Sequence, residues 1–156
     1  MTLTLEGERV ALEVIRHHRL LELYLAETLG IDVDEVHDEA DRLEHALSEE
    51  LEARIDEALG FPTVDPHGDP IPDRALRIAT ITSRTVADLD LGDTAVVARV
   101  PDGNAELLRY LAGIALVPGE ALELTGSAPF DGPLTVKTGN GEHAIARELA
   151  GSIGIA

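Results

Sequence analysis

Residues 62–73, PTVDPHGDPIPD, constrain this chain more than any other stretch. Pro62, Pro66, Pro70 and Pro72 remove backbone donors at short intervals and fix φ, so neither a helix nor a central strand can run through them. A turn-rich connector is expected here, with folded structure on both sides. At 156 residues the chain can hold one ordinary domain or two small ones.

Before the connector the apolar spacing is helical. Val10, Val14, Leu21, Leu25 and Leu29 recur at helical intervals and predict an amphipathic helix from Glu6 to Leu29, stopped by Gly30. Asp34 is the expected N-cap of a second helix marked by Val36, Ala40, Leu43 and Leu47. Ser48 caps a third, Glu49 to Leu59, which ends at Gly60 and Pro62. After the connector the pattern changes to short β-like runs: Thr94 to Val100, Glu120 to Leu124, Leu134 to Thr138 and His143 to Ile145. One helical piece, Ala105 to Ala112, interrupts them, and Asn140-Gly141 is the expected hairpin tip. The expected fold class is α+β, an all-α N-terminal domain followed by a small, partly open barrel. The expected boundaries are 1–72 for the helical domain, 73–83 for a linker and 84–156 for the barrel.

Charge and composition exclude several classes. A net charge of −18 opposes phosphate backbones and anionic lipid surfaces. Eleven Arg against one Lys, Lys137, within so acidic a chain matches the composition of proteins from salt-loving microbes. With no cysteine there is no disulfide framework and no thiolate metal site. No window approaches the apolar length of a membrane span, and the N-terminus has no signal-peptide pattern, so a cytoplasmic location is expected.

The chemistry-bearing residues lie on the first two predicted helices. His37, Asp41, Glu44 and His45 project within about 100° of one another on a helical wheel. Val36, Leu43 and Leu47 occupy a different face, so a core stripe and a polar stripe share the helix. His18 and Glu22, four apart on the first helix, can present a second imidazole and carboxylate to the same space. Neutral imidazole with hard carboxylate suits a divalent first-row ion: Mn²⁺, Fe²⁺, Co²⁺, Ni²⁺ or Zn²⁺. The bland alternative is a set of solvated acidic faces. His17 reads as a surface residue, and His67 and His143 as loop histidines. No phosphate-binding loop, nucleophile elbow or HExxH motif is present.

Three segments, RHHRLLE (16–22), GIDVDEVHDEADRLEH (30–45) and DPHGDPIP (65–72), resemble the diphtheria-toxin-repressor family of iron- and manganese-responsive regulators. More weakly, VARVPDGNAELLRYLAGIALVPGEALEL is similar to the SH3-like domain of that family, which is related to the small ferrous-transport accessory protein. The resemblance implies a metal-binding and dimerisation domain followed by an SH3-like barrel. It places His18, Glu22 and His37 at an ancillary metal site and Asp41, Glu44 and His45 at the primary, regulatory one, although in manganese-type members the counterpart of His37 joins the primary cluster. Iron-type members often carry Cys at the position of Asp41 and manganese-type members Glu, so the carboxylate here favours Mn²⁺ or Fe²⁺, with Zn²⁺, Co²⁺ or Ni²⁺ as substitutes. Glu106 is the candidate ligand from the SH3-like domain. Residues 1–5, MTLTL, resemble only the end of a wing, so the DNA-binding winged helix is expected to be absent.

The function expected is the metal-sensing and dimerising core of a metal-dependent repressor, a homodimer without catalytic activity, membrane contact or small-molecule substrate. It would reach DNA only through a winged helix. One rival is a stand-alone module forming mixed dimers with a full-length regulator. The other is a metal-dependent enzyme built on the same side chains.

Overall fold

The computed structural model describes residues 4–81 and 83–156. They fall into two compact units, divided at Ile81 and Thr82. The first is helical: α1 (Leu5–Leu29), α2 (Val36–Leu43) and α3 (Glu49–Ala58), followed by an irregular connector. Thr4 caps α1 by accepting from the Gly7 N–H at 3.1 Å, and Glu6 and Glu8 complement the helix dipole. Gly30, at φ 68°, ends α1 in a left-handed conformation and returns its N–H to Ala26. Ser48 caps α3 as expected, accepting from Leu51.

Two details of the helices differ from the sequence reading. The N-cap position of α2 is Glu35, not Asp34, and no side chain caps it. The helix also stops at Leu43, so His45 lies in a turn. The carbonyl of Glu44, which a continuing helix would use internally, instead lies 3.1 Å from His17 Nδ1. His17, read as a surface residue, is buried against that carbonyl and the Glu52 carboxylate.

The core of this unit joins Leu20, Leu21 and Leu23 of α1 to Ala40, Ile55 and Ile71. Each fully buried leucine or isoleucine contributes on the order of 1.5–3 kcal/mol of transfer free energy. The connector is held down by Arg16, whose Nη1 donates to the Pro72 carbonyl at 2.7 Å, and by Arg19, which donates to the Pro70 carbonyl at 2.5 Å. Its own backbone closes a tight loop, with Asp65 N–H on Asp69 O at 2.9 Å.

The second unit is a five-stranded antiparallel sheet in the order β4-β3-β2-β1-β5, made of β1 (Thr94–Arg99), β2 (Ala121–Ser127), β3 (Leu134–Thr138), β4 (Gly141–Ile145) and β5 (Gly154–Ile155). The helix α4 (Ala105–Gly113) and a short α5 (Arg147–Ala150) complete it. Its core contains Val86, Val97, Leu111, Leu116, Val136 and Ile153. The β3–β4 turn is Gly139-Asn140, because Gly141 already pairs with Thr138 as the first residue of β4. His143 lies on β4 opposite Val136 rather than in a turn. The two-residue β5 and the four-residue α5 are too short to leave a periodic signal. No described helix is long and apolar enough to cross a membrane.

Candidate metal centre

Six histidine and carboxylate side chains of α1, α2 and the turn after α2 are the expected donors, and the structure gathers five of them. His18 and Glu22 sit one turn apart on α1, and His37 and Asp41 one turn apart on α2. Glu44 follows the last turn of α2. His18 is the hub. Its Nε2 lies 3.0 Å from Glu22 Oε1 and 3.2 Å from His37 Nδ1, while its Nδ1 lies 2.7 Å from Glu44 Oε2 and 3.2 Å from Asp41 Oδ1. His37 Nδ1 also lies 3.2 Å from Glu22 Oε1. Two clusters result, His18–Glu22–His37 and His18–Asp41–Glu44, each with ligand atoms within 4.8 Å of one another.

His45 joins neither cluster. Its side chain is 73% exposed, and its Nε2 lies 3.1 Å from Glu44 Oε1. The expected stripe of four therefore becomes a convergent three: Glu44, the C-cap residue, keeps helical φ/ψ and stays on the stripe, whereas His45 lies in the turn beyond it. Glu106 is exposed on the first turn of α4, in the second unit.

Two donors were not anticipated. His67 and Asp65, in the connector, are buried and form a third cluster with Glu22. Glu22 Oε2 is buried without a hydrogen-bond partner and lies 3.6 Å from His67 Nδ1. Asp65 Oδ1 accepts from the backbone N–H groups of His67 and Asp69 at 2.8 and 3.0 Å, an Asx-type turn that aims the imidazole inward. The Asp-x-His spacing in a glycine-containing turn was the available signal.

The electrostatics suit a cation. Burial pushes the His18 imidazolium down, but hydrogen bonds and charge from Glu22, then Glu44, outweigh it and lift its pKa to about 9. Burial pushes Glu22 up, yet the His18 and His67 imidazoles hold it down to about 2. Asp65 is raised to about 6, by burial first and by the Glu22 charge second. In the absence of an ion, then, a protonated His18 occupies the centre of four carboxylate and imidazole groups. Mixed O/N donors that run from the buried Glu22, Asp65 and His67 to the exposed Asp41, with Glu22 Oε2 unsatisfied, fit a divalent first-row cation. The cavities of about 410 and 330 Å³ on this unit are lined by Arg16 and Arg74 among others, and by none of these donors.

A convergent imidazole–carboxylate cluster on a three-helix unit, followed along the chain by a small antiparallel β unit, defines a two-domain protein whose helical domain carries a candidate metal centre. Residues 4–73 match the family described as iron dependent repressor, metal binding and dimerisation domain, and residues 84–156 match the FeoA domain. A manganese-dependent transcriptional repressor solved in complex with manganese is 42% identical. It superposes with a TM-score of 0.90 over 99% of this chain and 74% of its own. The manganese regulator SloR is 31% identical, with a TM-score of 0.86 over 99% of this chain and 72% of its own. The chain belongs to the diphtheria-toxin-repressor family of metal-dependent transcriptional repressors. It carries that family's metal-binding and dimerisation domain and its SH3-like FeoA domain. The diphtheria toxin repressor of Corynebacterium efficiens is 46% identical over 72 residues, and the iron-dependent repressor IdeR of Mycobacterium leprae 44% over the same length. Those matches cover 46% of this chain and 31% of either relative, so the chain aligns with about a third of the curated relatives' length.

Proposed function

We propose that this chain is the metal-sensing and dimerising part of a transcriptional repressor that responds to Mn²⁺ or Fe²⁺. The observation that carries this reading is the convergence of His18, Glu22, His37, Asp41 and Glu44 from two helices, extended by Asp65 and His67 from the connector. His45 adds an imidazole at the exposed rim, next to Glu44. His18 and Glu22 of α1 with His37, Asp41 and Glu44 would hold an ion that ties α1 to α2, and Glu22 with Asp65 and His67 would hold one that ties α1 to the connector. Such an ion stabilises whichever arrangement of those elements brings the donors together, and that differential affinity is what shifts a population toward the DNA-binding form.

The partner is a second copy of the chain, and the site of action is the cytoplasm. DNA is reached through a winged-helix domain, because a net charge of −18 sets these two units against a phosphate backbone. The chain acts by binding rather than catalysis. Neither of the two cavities described above is lined by the donors.

Mass action tests the reading. Mn²⁺ at about 100 times its Kd adds on the order of 2.7 kcal/mol to the folded state and raises the melting temperature accordingly. Glu22→Gln removes most of the rise. A wild-type melting curve indifferent to both Mn²⁺ and Fe²⁺ would end the proposal.

A further inference from the structure

The cavity of about 410 Å³ on the helical unit shares no side chain with the metal donors. It is lined by the end of α3, the turn after it and the far end of the connector. Gly60 terminates α3 at φ 75°, and the Phe61 N–H returns to the Asp56 carbonyl at 2.9 Å. Phe61 itself sits at φ 59°, a left-handed conformation that bulky side chains rarely adopt, yet it is 58% exposed. Strain here serves an aromatic ring that adds nothing to the core. The ring walls the cavity, and Pro62, Ile71 and Pro72 supply further apolar lining.

The polar groups of the cavity leave one pair of donors over. The Arg74 guanidinium stacks over Phe61, 5.1 Å from the ring centroid, and its Nε donates to Asp56 Oδ2 at 3.1 Å. Two contacts thus hold a side chain that is otherwise 61% exposed, and among the described residues neither of its Nη atoms has an acceptor. The carboxylates are already engaged. Asp56 Oδ2 also accepts from Arg16 at 2.9 Å, and Asp73 accepts from the Ala75 and Arg77 backbone and from the Arg77 side chain.

We infer that this cavity binds a small organic anion with a flat apolar body, its carboxylate on the two Nη groups of Arg74 and its body against Phe61, Pro62 and Ile71. A guanidinium fork matches a carboxylate with two parallel N–H···O bonds. The volume falls within the range of roughly 300–1,000 Å³ usual for small-molecule sites. A cation finds no uncommitted carboxylate there, and a neutral apolar ligand would cover the Arg74 fork without replacing its water. Only an anion with an apolar body satisfies both the fork and the ring.

Fluorescence titration of the full chain with 2-naphthoate and with its uncharged analogue 2-naphthamide tests the site, and no tryptophan obscures the naphthalene signal. 2-Naphthoate should bind saturably, one per chain, and at least about tenfold more tightly than 2-naphthamide. A net charge of −18 acting alone would favour the amide, so the order of the two reports the local fork. That comparison needs only the wild type and stands whatever a substitution does to folding. Arg74→Gln should bring 2-naphthoate down to the affinity of the amide, Arg74→Lys should fall between, and Phe61→Leu should weaken both probes alike. Arg54→Gln, at a 72% exposed α3 side chain outside the cavity, should change neither. The inference is overturned if the wild type shows no saturable 2-naphthoate binding below millimolar concentration or binds the two probes equally. It is also overturned if Arg74→Gln or Phe61→Leu binds as wild type does, or if Arg54→Gln costs as much as Arg74→Gln. None of these outcomes bears on the metal-sensor reading, which stands or falls with the response of the melting curve to Mn²⁺ and Fe²⁺.

Discussion

Arg16 donates to the Pro72 carbonyl at 2.7 Å, so the helix that carries His18 and Glu22 also fixes the connector that carries Asp65 and His67. The same guanidinium bonds Glu52 at 2.6 Å and Asp56 at 2.9 Å and is 3% exposed. Arg16→Met would leave the buried Asp56 and the partly buried Glu52 short of their cation, a loss of about 3–5 kcal/mol. Arg74, 3.1 Å from Asp56, and His17, 2.8 Å from Glu52, soften it toward the lower figure. Denaturant unfolding measures the loss, and limited proteolysis should show new cutting within residues 62–73. Arg16→Lys, which keeps the charge without the fork, should fall between the two.

Metal affinity should rise with pH. His18 holds its proton up to about 9, and an ion coordinated by its ring must displace that proton. Below about 9 each unit of acidification therefore weakens apparent Mn²⁺ binding by up to about tenfold, and above it the slope flattens. Calorimetry in buffers of different ionisation heat should register about one proton released per ion at pH 7. Glu22, held down to about 2, contributes no slope in this range. A pH-independent affinity between 6.5 and 9 would remove His18 from the coordination sphere.

The helices, their polar face and the connector could be read from the sequence because each is a local pattern. Leu21 and Leu25 of the expected stripe are buried, and His18 and Glu22 are neighbours on any helix. What could not be read depends on packing. Nothing local announces that α2 stops before His45, since the competing group is His17, almost thirty residues away. Likewise His67 looks like any loop histidine until Arg19 and Arg16 draw the Pro70 and Pro72 carbonyls onto α1 and bury it beside Glu22. The apolar spacing also overstated the stripe of α1. Val10 and Leu29 share its periodicity yet are 48% and 60% exposed, because the buried residues of the helix lie between Arg16 and Leu25.

Asp65 should trade stability for metal binding. Its pKa is raised from 3.8 to about 6 in the folded chain, so its contribution to stability is fully present below about 4 and is lost as pH rises through about 6. At pH 7 the ionised, buried carboxylate weakens the metal-free fold. Asp65→Asn keeps an oxygen for the His67 and Asp69 N–H groups while removing the charge. Its helical unit should be more stable than wild type at pH 7 by on the order of 1–3 kcal/mol and should gain less from Mn²⁺. Thermal melts with and without the ion distinguish this from a structural aspartate, for which the substitution destabilises both states.

Self-association should depend on the apolar residues that the monomer leaves uncovered on α1 and α3. Leu5, Val10 and Leu51 are 87%, 48% and 50% exposed, more apolar side chain than one small helical unit needs at its surface. A two-fold dimer that buries them is isologous, so one substitution acts twice across the interface. Val10→Asp combined with Leu51→Asp should shift the sedimenting species from twice the chain mass of 16.6 kDa to the chain mass. Because the chain carries −18, the wild-type dimer should tighten as salt screens the repulsion between copies, the reverse of an association held by opposite charges. Sedimentation velocity across a salt series reads both effects, and a wild type that stays monomeric at every salt concentration would refute the two-fold arrangement.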